Sequence, residues 1–442
     1  MSGVPARGLS RILGIGFNIA LAFGATVGVG ILRLPGTVAA HLGDGRLVIL
    51  VWLIGGAYAI LGAISVGELA AMTPSAGGFY VYARRAFGPR TGFAVGWNDW
   101  ILNSITIAYA VLTAVDFAAA LAPGLAAHPK LCSIVILGAF ALLNAAGLQI
   151  GSVVQNTISV LVGLMLVALA LGGLALHASH AAAGVVSPPA SIIGLAAGVV
   201  ISLRAVIVTY DGWYSAIYLA EETVDAARAV PRAMIACAGL ITGLYVLINL
   251  GFLHALPFDQ LARSKLPAAD VAEMMVPHAG GAVVTFLSLL TVLGLINAVM
   301  LGAPRILFAL GRDGLAGGRT ARLARDGNPR IALAVTAGVA ALLVLSGTLE
   351  QLIAVASIIF VLNYISAYAA VFVLRRREPT VERPFRVWGY PWTTALVLAG
   401  SLAFLVGAIW DDPRSAGFAA ILVLLSVPIF QFAARPARRP LL

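Results

Sequence analysis

Apolar runs long enough to cross a bilayer follow one another along almost the whole of this 442-residue chain, and they are continuous rather than alternating. A bilayer-spanning helix takes about 20 mostly apolar residues, whereas the strands of a membrane barrel alternate over about 10. The runs therefore predict membrane helices and disfavour a barrel. Composition rules out a soluble enzyme: 61% of the residues are hydrophobic and 10% charged, against roughly 25% charged in soluble domains. Twelve runs can be marked, from 13–42 and 47–72 at one end to 390–410 and 415–433 at the other. Twelve spans of about 20 residues leave only short connections and no room for a large soluble domain.

The net charge of +10 would suggest nucleic acid in a soluble protein. Its distribution suggests orientation instead. With the N-terminus in the cytoplasm, 20 of the 28 basic residues fall in inner segments, from Arg7 and Arg11 through Arg312–Arg330 and Arg375–Arg386 to Arg435–Arg439, and five in outer ones. Cytoplasmic loops carry such an excess, so the chain is expected to lie in a cell (inner) membrane with both termini cytoplasmic, its positive segments meeting lipid headgroups and not nucleic acid. Three arginines are left over, Arg33, Arg204 and Arg305, each within or at the edge of a span. The cysteines, Cys132 and Cys237, fall toward opposite membrane faces and are expected to remain unpaired.

Two spans are poorly suited to unbroken helices. The first carries Gly24, Gly28 and Gly30 in its middle and Pro35-Gly36 soon after, and each helix-interior glycine costs about 1 kcal/mol relative to alanine. The sixth places Tyr210, Asp211, Gly212 and Trp213 in an otherwise apolar stretch, and an acid at membrane depth must face protein or water. Two interrupted spans five spans apart point to a transporter built from two inverted repeats. The expected division is residues 1–176 for helices 1–5, 190–375 for helices 6–10, and 388–434 for two peripheral helices, all in one transport domain.

These residues carry a family resemblance. Gly24-Ala25-Thr26-Val27-Gly28-Val29-Gly30-Ile31-Leu32-Arg33-Leu34-Pro35-Gly36 resembles the first-span motif of the amino acid/polyamine/organocation superfamily, particularly bacterial members similar to L-type amino acid transporters. Glu68-Leu69, Pro74–Tyr82 and Ala86–Pro89 resemble the segment after the second span. Tyr210–Trp213, Glu221-Glu222 and Pro231-Arg232-Ala233 resemble the sixth span and its inner loop, Arg305 with Gly311–Gly314 the end of the eighth, and Arg383–Pro391 the loop into the eleventh. The resemblance implies an all-α, five-plus-five inverted-repeat fold with helices 1 and 6 unwound. It implies secondary active transport of an amino acid or related small organic ion by alternating access, with a coupling proton or a counter-substrate as partner.

The substrate would lie between the unwound segments. Unsatisfied N–H groups at a helix start carry partial positive charge and suit a carboxylate, a role expected of Gly28, Val29 and Gly30. Free carbonyls of Thr26, Val206, Ile207 and Thr209 would suit an ammonium group, with Val208 and Tyr210 alongside. The chain departs from its relatives in having Val29 where many carry serine and Val208 where many carry an aromatic residue. It also has Val162 where several carry a lysine; its two lysines, Lys130 and Lys265, lie outside the spans. Arg33 and Arg204 are candidates for an anion site favouring an acidic or organic-anion substrate, or for an outer gate in which Asp116 is a plausible partner. Asp211 is a candidate helix cap or proton site. Asp99, Asn103, Asn144, Gln155 and Asn297 are expected to make interhelical hydrogen bonds, and Glu68 and Arg305 to be structural or inner-gate residues.

The competing classes are a channel and a membrane enzyme. The six histidines, His41, His128, His177, His180, His254 and His278, fall in or near outer segments without a third ligand for the His177/His180 pair, so no metal, cofactor or catalytic residue is expected. The two breaks favour an occluding site over a pore.

Overall fold

The computed structural model describes residues 8–176, 191–346 and 349–433. Arg7, Arg435, Arg438, Arg439, His177, His180 and the expected repeat boundary at residue 190 lie outside the described residues. Helices account for nearly everything else: α1 (Ile15–Thr26), α2 (Gly30–Leu42), α3 (Gly45–Met72), α4 (Phe79–Phe87), α5 (Pro89–Leu121), α6 (Pro129–Ala145), α7 (Leu148–Ala175), α8 (Ile192–Thr209), α9 (Ala226–Ala255), α10 (Phe258–Arg263), α11 (Pro267–Met275), α12 (Gly280–Arg312), α13 (Arg330–Ser346), α14 (Leu349–Arg377), α15 (Trp392–Asp411) and α16 (Pro413–Ala433). A 3-10 helix, Ser215–Glu222, follows α8 after a short turn.

Eight helices are long and apolar enough to cross a membrane, and nine spans result if α1 and α2, bent by 49° at their break, are counted together. The described parts of α6, α8 and α13 are apolar but have only 17 residues each. Such a helix rises about 26 Å, a little under the roughly 30 Å hydrocarbon core. The chain is thus a multi-pass helical membrane protein.

Local chemistry sets several helix ends. Asp44 caps α3 by accepting from the Arg46 and Leu47 amides at 2.6 and 3.3 Å, and Ser191 caps α8 by accepting from Gly194 at 3.0 Å. Each cap satisfies N–H groups that have no partner within the helix. Within the bundle α3 packs along α9 and α12 along α5, while α15 and α16 lie against α3, α5 and α14. The apolar window of α12 is 67% buried and that of α16 only 11%, so α12 is a core element and α16 a peripheral one.

A polar chain crosses this core. Asn144 on α6 donates to Asn297 on α12 at 3.1 Å, and Asn297 donates to Gln155 on α7 at 2.9 Å. Ser159, one turn along, donates to the Ala20 carbonyl of α1 at 2.7 Å. These are the interhelical bonds expected of Asn144, Gln155 and Asn297, and they fix α1 relative to α7 and α12. Such bonds average about 0.6 kcal/mol each in membranes, so they set register more than they add stability.

Candidate functional site

The two breaks meet. α1 ends at Thr26, residues 27–29 leave the helix, and α2 resumes at Gly30. α8 ends at Thr209, residues 210–214 turn, and the 3-10 helix continues inward. Gly212 lies at φ +113, a conformation side chains rarely adopt, and a Cβ there would run into the Ala25 carbonyl and come within 2.8 Å of the Thr26 amide. A Cβ on Gly30 would stand 2.9 Å from the Thr209 side chain. Each break is therefore seated on the end of the other helix, and only a residue without a side chain permits it. Gly28 is different: the nearest atom to a Cβ placed there is the Thr26 carbonyl oxygen at 4.0 Å, so it faces open space.

The exposed backbone is distributed unequally. Among the described residues the amides of Val29, Gly30 and Ile31 donate to no acceptor, and the Thr26 carbonyl accepts from no donor. The Gly28 amide lies beside the Tyr245 hydroxyl, which itself donates to the Thr209 carbonyl at 3.3 Å. One pole of the first break thus presents unsatisfied donors and the other an unsatisfied acceptor about a turn away. This arrangement can hold a zwitterion by its two ends.

Below the second break is a plug of aromatic rings. Trp213 stacks on Tyr364 of α14 with centroids 5.5 Å apart, Tyr214 packs edge-on to both, and Phe79 and Tyr218 close the cluster. Asp211 sits at its upper rim, accepting from the Tyr364 hydroxyl at 2.5 Å and from Tyr214 at 3.5 Å.

Beneath the plug, ion pairs join the segments that leave the spans on one side. Arg305 is 2% exposed and meets Glu222 with two bonds of 2.9 and 3.0 Å. Arg312 binds Glu221, which also accepts the Ala76 amide at 3.0 Å. Tyr80 and Arg84 of α4 both donate to Asp313; burial, then the Asp313 carboxylate, push the Tyr80 hydroxyl up from its ordinary value and keep it a donor. Glu68 accepts from Arg375 at 2.8 and 2.5 Å, from Arg383 at 3.1 Å and from the Val387 amide at 2.8 Å. Leu13 and Thr223 form a single parallel bridge that ties the start of α1 to the end of the 3-10 helix. On this side the segments are held together by these ion pairs and hydrogen bonds.

A family model for amino acid permeases matches residues 18–428, nearly the whole chain. The chain belongs to the amino acid permease family. This permease is 26% identical to the serine/threonine exchanger SteT of Bacillus subtilis over 96% of its own length and 97% of that protein's. It is 27% identical to Asc-type amino acid transporter 1 of Homo sapiens, covering 96% of itself and 82% of the relative, and 24% identical to b(0,+)-type amino acid transporter 1 of Mus musculus, covering 96% and 88%. The family consists of transporters and not enzymes.

The permease treats the residues singled out from sequence in different ways. Thr26, Gly28, Val29 and Gly30 line the first break as expected. Val206, Ile207 and Thr209 do not offer free carbonyls, because α8 runs on to Thr209: the Tyr210 amide donates to Val206 and Ile207 at 3.1 and 3.2 Å, and Tyr245 occupies Thr209. Val208, whose carbonyl accepts from Asp211, is 42% exposed. Tyr210 turns away from the breaks, its ring against Trp52 and Tyr245 and its hydroxyl on the Trp52 carbonyl at 3.1 Å. Asp211 is not at the cap position of the 3-10 helix, which has no side-chain cap bond; its carboxylate meets the Gly212 amide of the turn and two tyrosines.

The outer arginines also part company. Arg204 pairs with Asp411 of α15 at 3.3 Å and lies 5.8 Å from the Phe404 ring centre. Asp116 is not its partner: it is exposed and in no ion pair among the described residues, because α15, not α5, brings the nearest acid to Arg204. Arg33 is exposed and likewise has no ion pair among the described residues. Sequence reading passed over Tyr364, Asn363 and Tyr245, which bind Asp211, Asp99 and Thr209. The only available signal was polar groups within apolar runs, as in Asn363-Tyr364.

Proposed function

We propose that this permease carries an amino acid across the cell membrane by alternating access, binding it between the two breaks. The carboxylate would sit on the free amides of Val29, Gly30 and Ile31, with Gly28 leaving room for it. The ammonium group would take the Thr26 carbonyl. The observation that carries this reading is the contact between the breaks, Gly212 on Ala25–Thr26 and Gly30 on Thr209. It gathers the unsatisfied donors and acceptor of a membrane-buried backbone at one point.

The same reading makes α1 with α2 a single span and α8 with its 3-10 helix another, giving twelve spans, five-plus-five inverted repeats in residues 1–176 and 190–375, and peripheral helices in 388–434. The helix order supports it: α3, α5, α6 and α7 follow the first break, and α9, α12, α13 and α14 the second. The basic inner segments support cytoplasmic termini, which makes the ion-paired face the cytoplasmic one and the permease closed on that side. The amino acid permease family and the names of the relatives favour an amino acid over a dicarboxylate or a simple organic anion.

The test is counterflow into proteoliposomes loaded with unlabelled amino acid. The name of the serine/threonine exchanger makes serine and threonine the first set, followed by the other amino acids. Saturable uptake of at least one is expected, dependent on the same amino acid inside. Uptake of an organic anion alone, with every amino acid inert, would overturn the reading.

A further inference from the structure

Two carboxyl groups lie in the core without a cation. Asp99 of α5 is 0% exposed, and its Oδ1 receives every donor it has: Tyr218 at 2.9 Å, Asn363 at 3.0 Å and Asn103 at 3.3 Å. Its Oδ2 is enclosed and has no partner. Asp211, at the rim of the aromatic plug, is partly exposed and is held by Tyr364, Tyr214 and the Gly212 amide. The two acids belong to one cluster, since Tyr218, which binds Asp99, packs against Tyr214, which binds Asp211. A run of hydroxyl-bearing rings joins them: Tyr218 to Tyr214, 6.1 Å between centroids, and Tyr214 to Tyr364, 5.6 Å. The titratable groups that face them are Tyr58 from α3, Tyr109 from α5, Tyr214 and Tyr218 from the 3-10 helix, and Tyr364 and Tyr368 from α14. None is a cation, and among the described residues neither acid is in an ion pair.

Two negative charges in one buried cluster, with no counter-ion, are unfavourable twice over: each is desolvated, and each repels the other. One proton on the pair removes both penalties. The unpartnered Oδ2 of Asp99 is where it fits, because Oδ1 already accepts from three donors and so acts as the carbonyl oxygen of a neutral acid. The sealed acid has a route to water through its partner, since Asp211 is partly exposed and lies in the broken segment after α8. The pair therefore joins a proton-holding group to the segment that must rearrange when the site changes sides.

We propose that Asp99 and Asp211 form a proton site that takes one proton from the outer side with each substrate and releases it on the inner side. This rests on the transport reading above and names its coupling ion. The proton is bound by a carboxylate and given up unchanged, so no other reactant is needed. Neither lysine reaches the core, Lys130 standing exposed at the start of α6 and Lys265 exposed between α10 and α11, which leaves the acids to do this work.

The experiment uses the full chain in proteoliposomes with pyranine inside and the labelled amino acid that exchanges in the counterflow assay. With equal pH on both sides, wild type and Asp99→Asn should both exchange. With acid outside, the wild type should concentrate the amino acid and acidify the interior, and Asp99→Asn should lose both effects. Asp99→Glu, which restores an acid, should regain part of them. Retained proton-driven accumulation in Asp99→Asn overturns the proposal. So does wild-type exchange that is indifferent to the pH gradient, or accumulation driven by sodium instead. Should Asp99→Asn fail to yield a monodisperse protein, the wild-type pyranine signal decides alone. A wild type without counterflow defeats the transport reading and this one with it; counterflow without proton drive defeats this one only.

Discussion

The pair Arg305–Glu222 offers the sharpest test of how the closed side is held. Both side chains are almost wholly buried, 3% and 2% exposed, and all the charge they carry is spent on each other and on the Leu301 carbonyl. Arg305→Met leaves an ionised carboxylate with nothing opposite it, and Glu222→Gln leaves a guanidinium. Breaking one side of a buried pair costs about 3–5 kcal/mol, whereas replacing both partners with groups of similar size is often neutral. The double variant Arg305→Met/Glu222→Gln should therefore recover most of what either single loses, a coupling of several kcal/mol in a double-mutant cycle. Thermal unfolding in detergent, followed by size-exclusion chromatography of a fluorescent fusion, reads this as a drop of several degrees in each single and a return toward wild type in the double. Additive losses in the double, or singles that unfold at the wild-type temperature, would refute the argument, for either result would mean that water reaches the pair.

Three further outcomes follow from the same geometry. Gly212→Ala should destabilise by about 2–5 kcal/mol, since it combines strain at a positive φ with a clash against Ala25 and Thr26; the unfolding temperature checks it, and an unchanged value would mean the breaks are not seated on each other. Gly28→Val should do the opposite, changing the unfolding temperature little because the nearest atom to a Cβ there is the Thr26 carbonyl oxygen at 4.0 Å, yet abolishing counterflow by filling the space where the carboxylate would sit. Arg204→Ala should cost less than about 1 kcal/mol, because its partner Asp411 is 71% exposed and such pairs are weak, and should leave counterflow of neutral amino acids intact.

What could be read from the residues alone was what each segment cannot do by itself. A chain cannot keep runs this apolar in water, so the helices were legible. It cannot easily carry glycines and an acid through a lipid-facing helix, so both breaks were legible too, and they fall where expected, at residues 27–29 and 210–214. Which partner resolves each difficulty was not legible. Gly24 was read as part of the break, but it lies inside α1 and is small because Gln155, far along the chain, packs onto it. Tyr210 carried the most distinctive motif yet points at Trp52, since a residue at a helix end can face any of several neighbours. Arg204 had to choose among outer acids, and the choice depended on where α15 docks, which no local pattern encodes.

Asp99 shows the same limit in its most consequential form. The expectation of an interhelical hydrogen bond holds, through Tyr218 and Asn363. Composition and spacing could not disclose that all its donors reach one oxygen, or that a second acid stands nearby with no cation between them. An isolated buried acid would simply be neutral, and an acid paired with arginine simply ionised; in either case its protonation would be indifferent to the transport cycle. Two acids sharing a cation-free cluster, one sealed and one on the hinge, are poised between those states. In the proposed proton site, that intermediate condition would let a proton held in the core depend on the position of a helix break.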